Sequence, residues 1–135
     1  MARILVMDDD QLFVKLMVHA LTQRGHDVEF ALDGISGCRT FERSHFDAVV
    51  CDILMPEQEG VQTIRQMRGE RPDLAIVAIS GGLGAGGASN IDVLDIAGKM
   101  GADVTVKKPF QLSELSAAVD KALSARGSMQ AAAKA

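Results

Sequence analysis

The sequence predicts an α/β fold: five strand–helix units wound into one doubly wound parallel sheet of five strands with five helices. Three observations predict it. Short continuous apolar runs at 4–7, 48–51 and 74–79 are too short for helices and suit strands buried on both faces. Between them lie longer segments whose apolar residues recur every three or four positions. The two kinds of segment alternate along the chain, the pattern of a parallel sheet with helices on both faces.

Residues 4–7 form the first predicted strand, stopped by Asp8, Asp9 and Asp10. Asp10 is read as a helix N-cap. A helix over 11–24 follows, with Phe13, Leu16, Met17, Ala20 and Leu21 inward, and Gly25 closes it. Val28 and Phe30 alternate with Glu29 and Ala31, as in a half-exposed strand. A second helix spans 34–42 with Ile35, Cys38 and Phe41 inward, and 48–51 is a buried strand ending at Asp52. Val61, Ile64 and Met67 mark a third helix ending near Gly69, with Pro72 beyond it. The strand at 74–79 is the most apolar. A glycine-rich loop, 81–87, leads to a helix over 91–100 capped by Ser89 or Asn90. Val104 and Val106 flank Thr105 in a last strand. Leu112, Leu115, Val119 and Leu123 stripe the last helix, which Gly127 ends. Residues 1–126 thus form one domain, and 127–135 are expected to be a mobile tail. The continuous runs are central strands and the alternating ones edges, which fits the flavodoxin-like order 2-1-3-4-5 with right-handed crossovers.

The chain has 135 residues, enough for one core, with 47% hydrophobic and 24% charged residues. Its net charge is -4 and its pI about 5.3, which argues against nucleic acid as the main partner. Cys38 and Cys51 lack metal-type spacing and are read as buried thiols. No membrane span or signal peptide is read, so a cytoplasmic protein, expected to be monomeric, is the reading. His19, His26 and His45 have no partners at ligand spacing and are placed at the surface or its boundary.

In such a sheet, ligands bind at the carboxyl ends of the strands where strand order reverses, between the first and third. Asp8 and Asp9 follow the first strand, Asp52 ends the third, Ser80 ends the fourth and Lys108 follows the fifth. Two carboxylates about 4 Å apart repel by about 4 kcal/mol at an effective dielectric of about 20. Either one is protonated or a cation sits among them, and an oxygen-only donor set suits Mg²⁺. With the metal, Asp52 can act as a nucleophile toward a phosphoryl group, and Lys108 and Ser80 supply donors to it. Asp103 is read as a turn residue, Lys107 as pointing to the face opposite Lys108, and Met55 and Phe110 as packing residues.

The chain resembles the response-regulator receiver domains of two-component signalling. The matching residues are Met7-Asp8-Asp9, Asp52-x-x-Met55-Pro56 followed by Gly60, Ile79-Ser80-Gly81, Gly101-Ala102-Asp103 and Lys108-Pro109-Phe110. The resemblance runs over about 2–126 and implies Asp52 as phosphoacceptor, with Asp9, Asp52 and the Leu54 backbone carbonyl as Mg²⁺ ligands and Asp8 holding the metal through water. It implies Lys108 and Ser80 at the phosphoryl group and a cis bond between Lys108 and Pro109. It further implies a sensor histidine kinase or a histidine phosphotransfer protein as donor. With no DNA-binding or enzymatic domain read after Arg126, a stand-alone receiver that signals by binding a downstream protein is expected.

Other readings exist. A phosphorelay intermediate or phosphate sink needs the same chemistry without a downstream target. An aspartate-nucleophile phosphohydrolase of the haloacid-dehalogenase type would use Asp8-x-Asp10, Ser80 and Lys108, but Leu12 stands where a threonine is usual and Asp52 would go unexplained. Gly82-x-Gly84-x-x-Gly87 matches a dinucleotide pattern, but the acid that should end the following strand, Asp103, precedes it. The chain departs from the receiver pattern at Thr105, where an aromatic residue is common. The 81–87 loop, beside Ser80, is read as the switch in its place. Apolar Leu54 offers no group to orient an attacking water, so slow autodephosphorylation is expected.

Overall fold

The computed structural model describes residues 2–53, 60–80, 99 and 101–134, with the backbone only at 61, 80 and 127–134. Its elements run β1 (Arg3–Met7), α1 (Gln11–Gln23), β2 (Asp27–Ala31), α2 (Gly34–Arg43), β3 (Ala48–Asp52), α3 (Gly60–Glu70), β4 (Ala75–Ser80), β5 (Val104–Lys107) and α4 (Leu112–Lys134). All strands are parallel, in the predicted order β2-β1-β3-β4-β5. Four of the five predicted helices lie among the described residues. The loop at 81–87 and its Ser89 or Asn90 cap lie outside them, as does the helix at 91–100 apart from Lys99, which is helical.

The sheet's two faces divide the core. Ile4, Val6, Ala48, Val50, Ala75, Val77 and Ile79 pack against Val14, Met17 and Leu21 of α1 and Leu115, Ala118, Val119 and Ala122 of α4. The residues between them, Leu5, Met7, Val49, Cys51, Leu74, Ile76 and Ala78, pack against Phe41 of α2, Phe46, and Ile64 and Met67 of α3. That is why β1, β3 and β4 read as unbroken apolar runs: both pleats are covered. β2 and β5 are the edges and are only half buried.

Two inward stripes differ from the predicted ones. On α1 the buried positions are Val14, Met17 and Leu21, whereas Leu16 is 45% exposed. On α2, Gly34, Gly37 and Phe41 face inward and Ile35 is exposed. The inward glycines let α2 approach the sheet closely: a methyl group on Gly37 would lie 2.0 Å from Met7 Sδ. A glycine carries no hydropathy signal, so the larger Ile35 drew the predicted stripe off its axis.

The helix ends also have local causes. Asp10 caps α1 as predicted, accepting from the Phe13 N–H at 3.1 Å, and Asp33 caps α2 in the same way. Gly25, at φ +92°, turns the chain out of α1. Gly127 does not stop α4, which stays helical to Lys134. One glycine costs a helix only about 1 kcal/mol, and the alanines that follow favour helix.

Asp103 is more than a turn residue. Its buried carboxylate accepts from Arg68 Nη2 at 2.9 Å, from Arg126 Nε at 2.8 Å and from the Ile76 N–H at 2.8 Å. Arg68 also donates to the carbonyls of Pro72, Leu74 and Gly101. One carboxylate therefore ties α3, β4, β5 and α4 together at the amino end of the sheet. Removing it strands two largely buried guanidiniums, so Asp103→Ala is expected to cost about 2–3 kcal/mol in urea unfolding. Asp120→Ala, which breaks a half-exposed pair with Arg24, is expected to cost less than about 1 kcal/mol.

Candidate functional site

The strand order reverses between β1 and β3, which send their following helices to opposite faces. Asp8 is the first residue past β1, and Asp52 is the last of β3, beside Ile79 of β4. Ser80 pairs in register with Lys107, so the strand end of β4 adjoins the start of the Lys108 turn. The bond between Lys108 and Pro109 is cis, as the resemblance implied. Side-chain direction alternates along β5, and Lys107 is exposed.

These strand ends bring the acids together. Asp8 is 0% exposed and Asp52 4%, while Asp9 faces solvent. One carboxylate oxygen from each lies within 4.8 Å of the others. Lys108 Nζ donates to Asp8 Oδ2 at 2.9 Å and to Asp52 Oδ2 at 3.3 Å. Burial pulls the ammonium's pKa down, but the hydrogen bonds and charges of Asp8 and Asp52 outweigh it and the net shift is upward. Lys108 therefore stays charged across the neutral range. Three carboxylates against one ammonium leave negative charge at the rim, and an oxygen-only donor set of this kind can hold a hard cation.

The surroundings hold these groups in place. Asp8 Oδ1 accepts from the Asp10 N–H at 3.0 Å, so both Asp8 oxygens are engaged. Cys51 lies one residue before Asp52, in register with Met7, and is fully buried. Burial, followed by the charge of Asp52, pushes its thiol far above the usual range. Cys51 is thus chemically quiet, as read, while Cys38 is only partly buried. Gly60 lies against the end of β3: a Cβ there would sit 2.2 Å from Ile53 Cα and 2.3 Å from the Asp52 carbonyl oxygen. Its N–H donates to the Ile53 carbonyl at 3.2 Å.

Of the predicted site residues, Asp8, Asp9, Asp52 and Lys108 converge. Leu54 and the Ser80 side chain lie outside the described residues, as do Met55 and Pro56. His19 and His45 are exposed and His26 half-buried, away from the rim. Phe110 packs, as read, edge-on to Phe13 with ring centroids 5.4 Å apart. Sequence reasoning missed that Lys108 Nζ also lies 4.4 Å from the centroid of the Phe13 ring. The available signal was Phe13's place in the first turn after the acids.

The sequence profile described as "Response regulator receiver domain" matches residues 4–120. The chain belongs to this family. The response regulator MprA of Mycobacterium sp. (strain KMS) is 35% identical over 113 residues, which cover 84% of this chain and 46% of MprA. The transcriptional regulatory protein TcrA of Mycobacterium tuberculosis (strain ATCC 25618 / H37Rv) is 34% identical over 125 residues, 93% of this chain and 47% of TcrA. The receiver spans about half the length of the curated relatives it matches. Among solved structures, a receiver domain protein from Clostridium thermocellum superposes with a TM-score of 0.84 at 26% identity, covering 96% of this chain and 99% of that one. A CheY-like receiver from Methanospirillum hungatei JF-1 shares the fold with a TM-score of 0.84 at 23% identity, covering 94% and 97%. No helix among the described residues is long and apolar enough to cross a membrane.

Because Gly60 touches main chain rather than a flexible side chain, the receiver has little room to adapt there. Gly60→Ala is expected to cost about 2 kcal/mol in urea unfolding. It is also expected to shift the amide resonances of Asp52 and Ile53 more than those of β2.

Proposed function

We propose that the receiver is a phosphorylation-activated signalling switch that accepts a phosphoryl group on Asp52 from a sensor histidine kinase or histidine phosphotransfer protein. The observation that carries this reading is the Asp52 carboxylate at the rim, 3.3 Å from the Lys108 ammonium and clustered with Asp8 and Asp9. An Asp52 oxygen attacks phosphorus, the P–N bond breaks with its electron pair left on nitrogen, and the donor ring, already protonated from solvent on its other nitrogen, leaves as neutral imidazole. Lys108 turns part of its charge toward the phosphoryl oxygens, and the Ser80 hydroxyl is a further donor to them.

The donor set fits Mg²⁺: oxygens only, with excess negative charge. Asp9, Asp52 and the Leu54 carbonyl would hold it directly and Asp8 through water. When bound, the metal neutralises charge between Asp52 and the transferring group. Asp8 is a poor nucleophile here, since it is fully buried with both oxygens engaged, and Asp10 caps α1. This favours Asp52 over a dehalogenase-type hydrolase using Asp8.

The phosphorylated receiver signals by binding a protein, or within a longer regulator by acting on its other half. A relay intermediate or phosphate sink would share the chemistry and lack phosphorylation-dependent binding. Slow autodephosphorylation follows from Leu54, which offers no polar group to an attacking water.

Incubation with acetyl phosphate and Mg²⁺ is expected to add one phosphoryl mass to Asp52, and Asp52→Asn to abolish the addition. Undiminished uptake by Asp52→Asn, or label on Asp8, would overturn the reading. Mg²⁺ at about a hundred times its dissociation constant is expected to stabilise the fold by about 2.7 kcal/mol. EDTA should reverse that gain and Asp9→Asn should blunt it, as read by thermal melting.

A further inference from the structure

Lys108 has three N–H donors and is held from three sides. Asp8 and Asp52 take two of them, at 2.9 Å and 3.3 Å. On the third side lies the Phe13 ring, whose centroid is 4.4 Å from Nζ, within cation–π range. The ring is itself fixed. Phe13 sits in the first turn of α1, packs against the core shared with α4, and meets the edge of Phe110 at an interplanar angle of 69°. Phe110 is two residues past Lys108, so one short turn supplies both the cation and the edge that orients its platform. Thr105 of β5 is exposed and offers no ring.

Building on the phosphoacceptor reading, we infer that Phe13 is a positioning residue for Lys108. Its ring face holds the ammonium over the gap between Asp8 and Asp52, so that the cation is in place before a phosphoryl group arrives. A lysine stem is flexible and its head strongly hydrated, so two hydrogen bonds at a partly open rim leave it free to swing toward water. The attraction of the ring face opposes that swing. Its attraction is not aimed at one oxygen, so the ammonium can turn from Asp8 and Asp52 to phosphoryl oxygens while staying over the same face. A residue that served only to fill the core would need the shape of the ring and not the charge distribution of its face.

The test therefore keeps the shape and inverts the face. In the full chain, Phe13 is replaced by pentafluorophenylalanine, whose ring face repels cations, and separately by tyrosine in Phe13→Tyr, which keeps an attractive face. Three quantities are read: the melting temperature, the order parameter of the Lys108 Cε methylene without phosphodonor, and the rate of phosphorylation by acetyl phosphate with Mg²⁺. The fluorinated protein is expected to melt with the native one, to show a more mobile Lys108, and to phosphorylate about three- to fivefold more slowly. Phe13→Tyr is expected to retain native order and rate. Native Lys108 order and native rate in the fluorinated protein would overturn the inference and leave Phe13 as packing. If the native chain takes no phosphoryl group on Asp52, the proposed function falls, and the Lys108 order parameter, measured without phosphodonor, still decides where Phe13 stands.

Discussion

The contact on which the rim depends is the Lys108 ammonium between Asp8 and Asp52. Carboxylates withdrawn from water are costly unless paired, and these two are almost wholly withdrawn. One cation shared between two carboxylates makes both tolerable and leaves the pair with net negative charge. That residual imbalance leaves the site open to further positive charge and to an incoming group that can take over the ammonium's hydrogen bonds. The sheet serves this contact directly: β1 and β3 are neighbours, and β5 ends where the lysine must begin.

Two glycines allow close packing beside the site. Gly37 lets α2 pack onto Met7, and Gly60 lets α3 start against the backbone of Asp52 and Ile53. Both are places where a side chain is excluded so that main chain can approach, and both fix strands that carry an acid. At the other end of the sheet, Asp103 gathers Arg68 and Arg126. The two ends are thus secured by different means, close backbone packing near the acids and a buried ion cluster opposite them.

How much of this was legible depended on the range of the interaction. The strands, their order and the acids at their ends follow from local pattern, because a doubly covered parallel strand must be apolar throughout and can carry charge only where it stops. The N-cap at Asp10 was legible for the same reason, since its partner is three residues away. Asp103 was not: its arginines are 35 and 23 residues distant, and nothing local marks them. Ile35 was placed inward because hydropathy was weighed without the close approach that the inward glycines of α2 allow, and Leu16 because Val14 carries the stripe on α1 in its place. Phe13 was placed correctly against the core, but the ring's second neighbour, Lys108, is known only once α1 and β5 are laid on the same face.

Cys51 gives β3 an internal clock. Its thiol is fully buried between Met7 of β1 and Ala78 of β4, one residue before Asp52, and burial keeps it protonated. A thiol reagent can reach it only when α2 and α3 lift from its face of the sheet or the strands part, so its modification rate at neutral pH counts the openings of the core beside Asp52. Cys38, partly exposed on α2, keeps separate time for its own helix. Comparing the two rates separates a surface loosening of α2 from a deeper opening of the core beside Asp52, using residues the chain already carries.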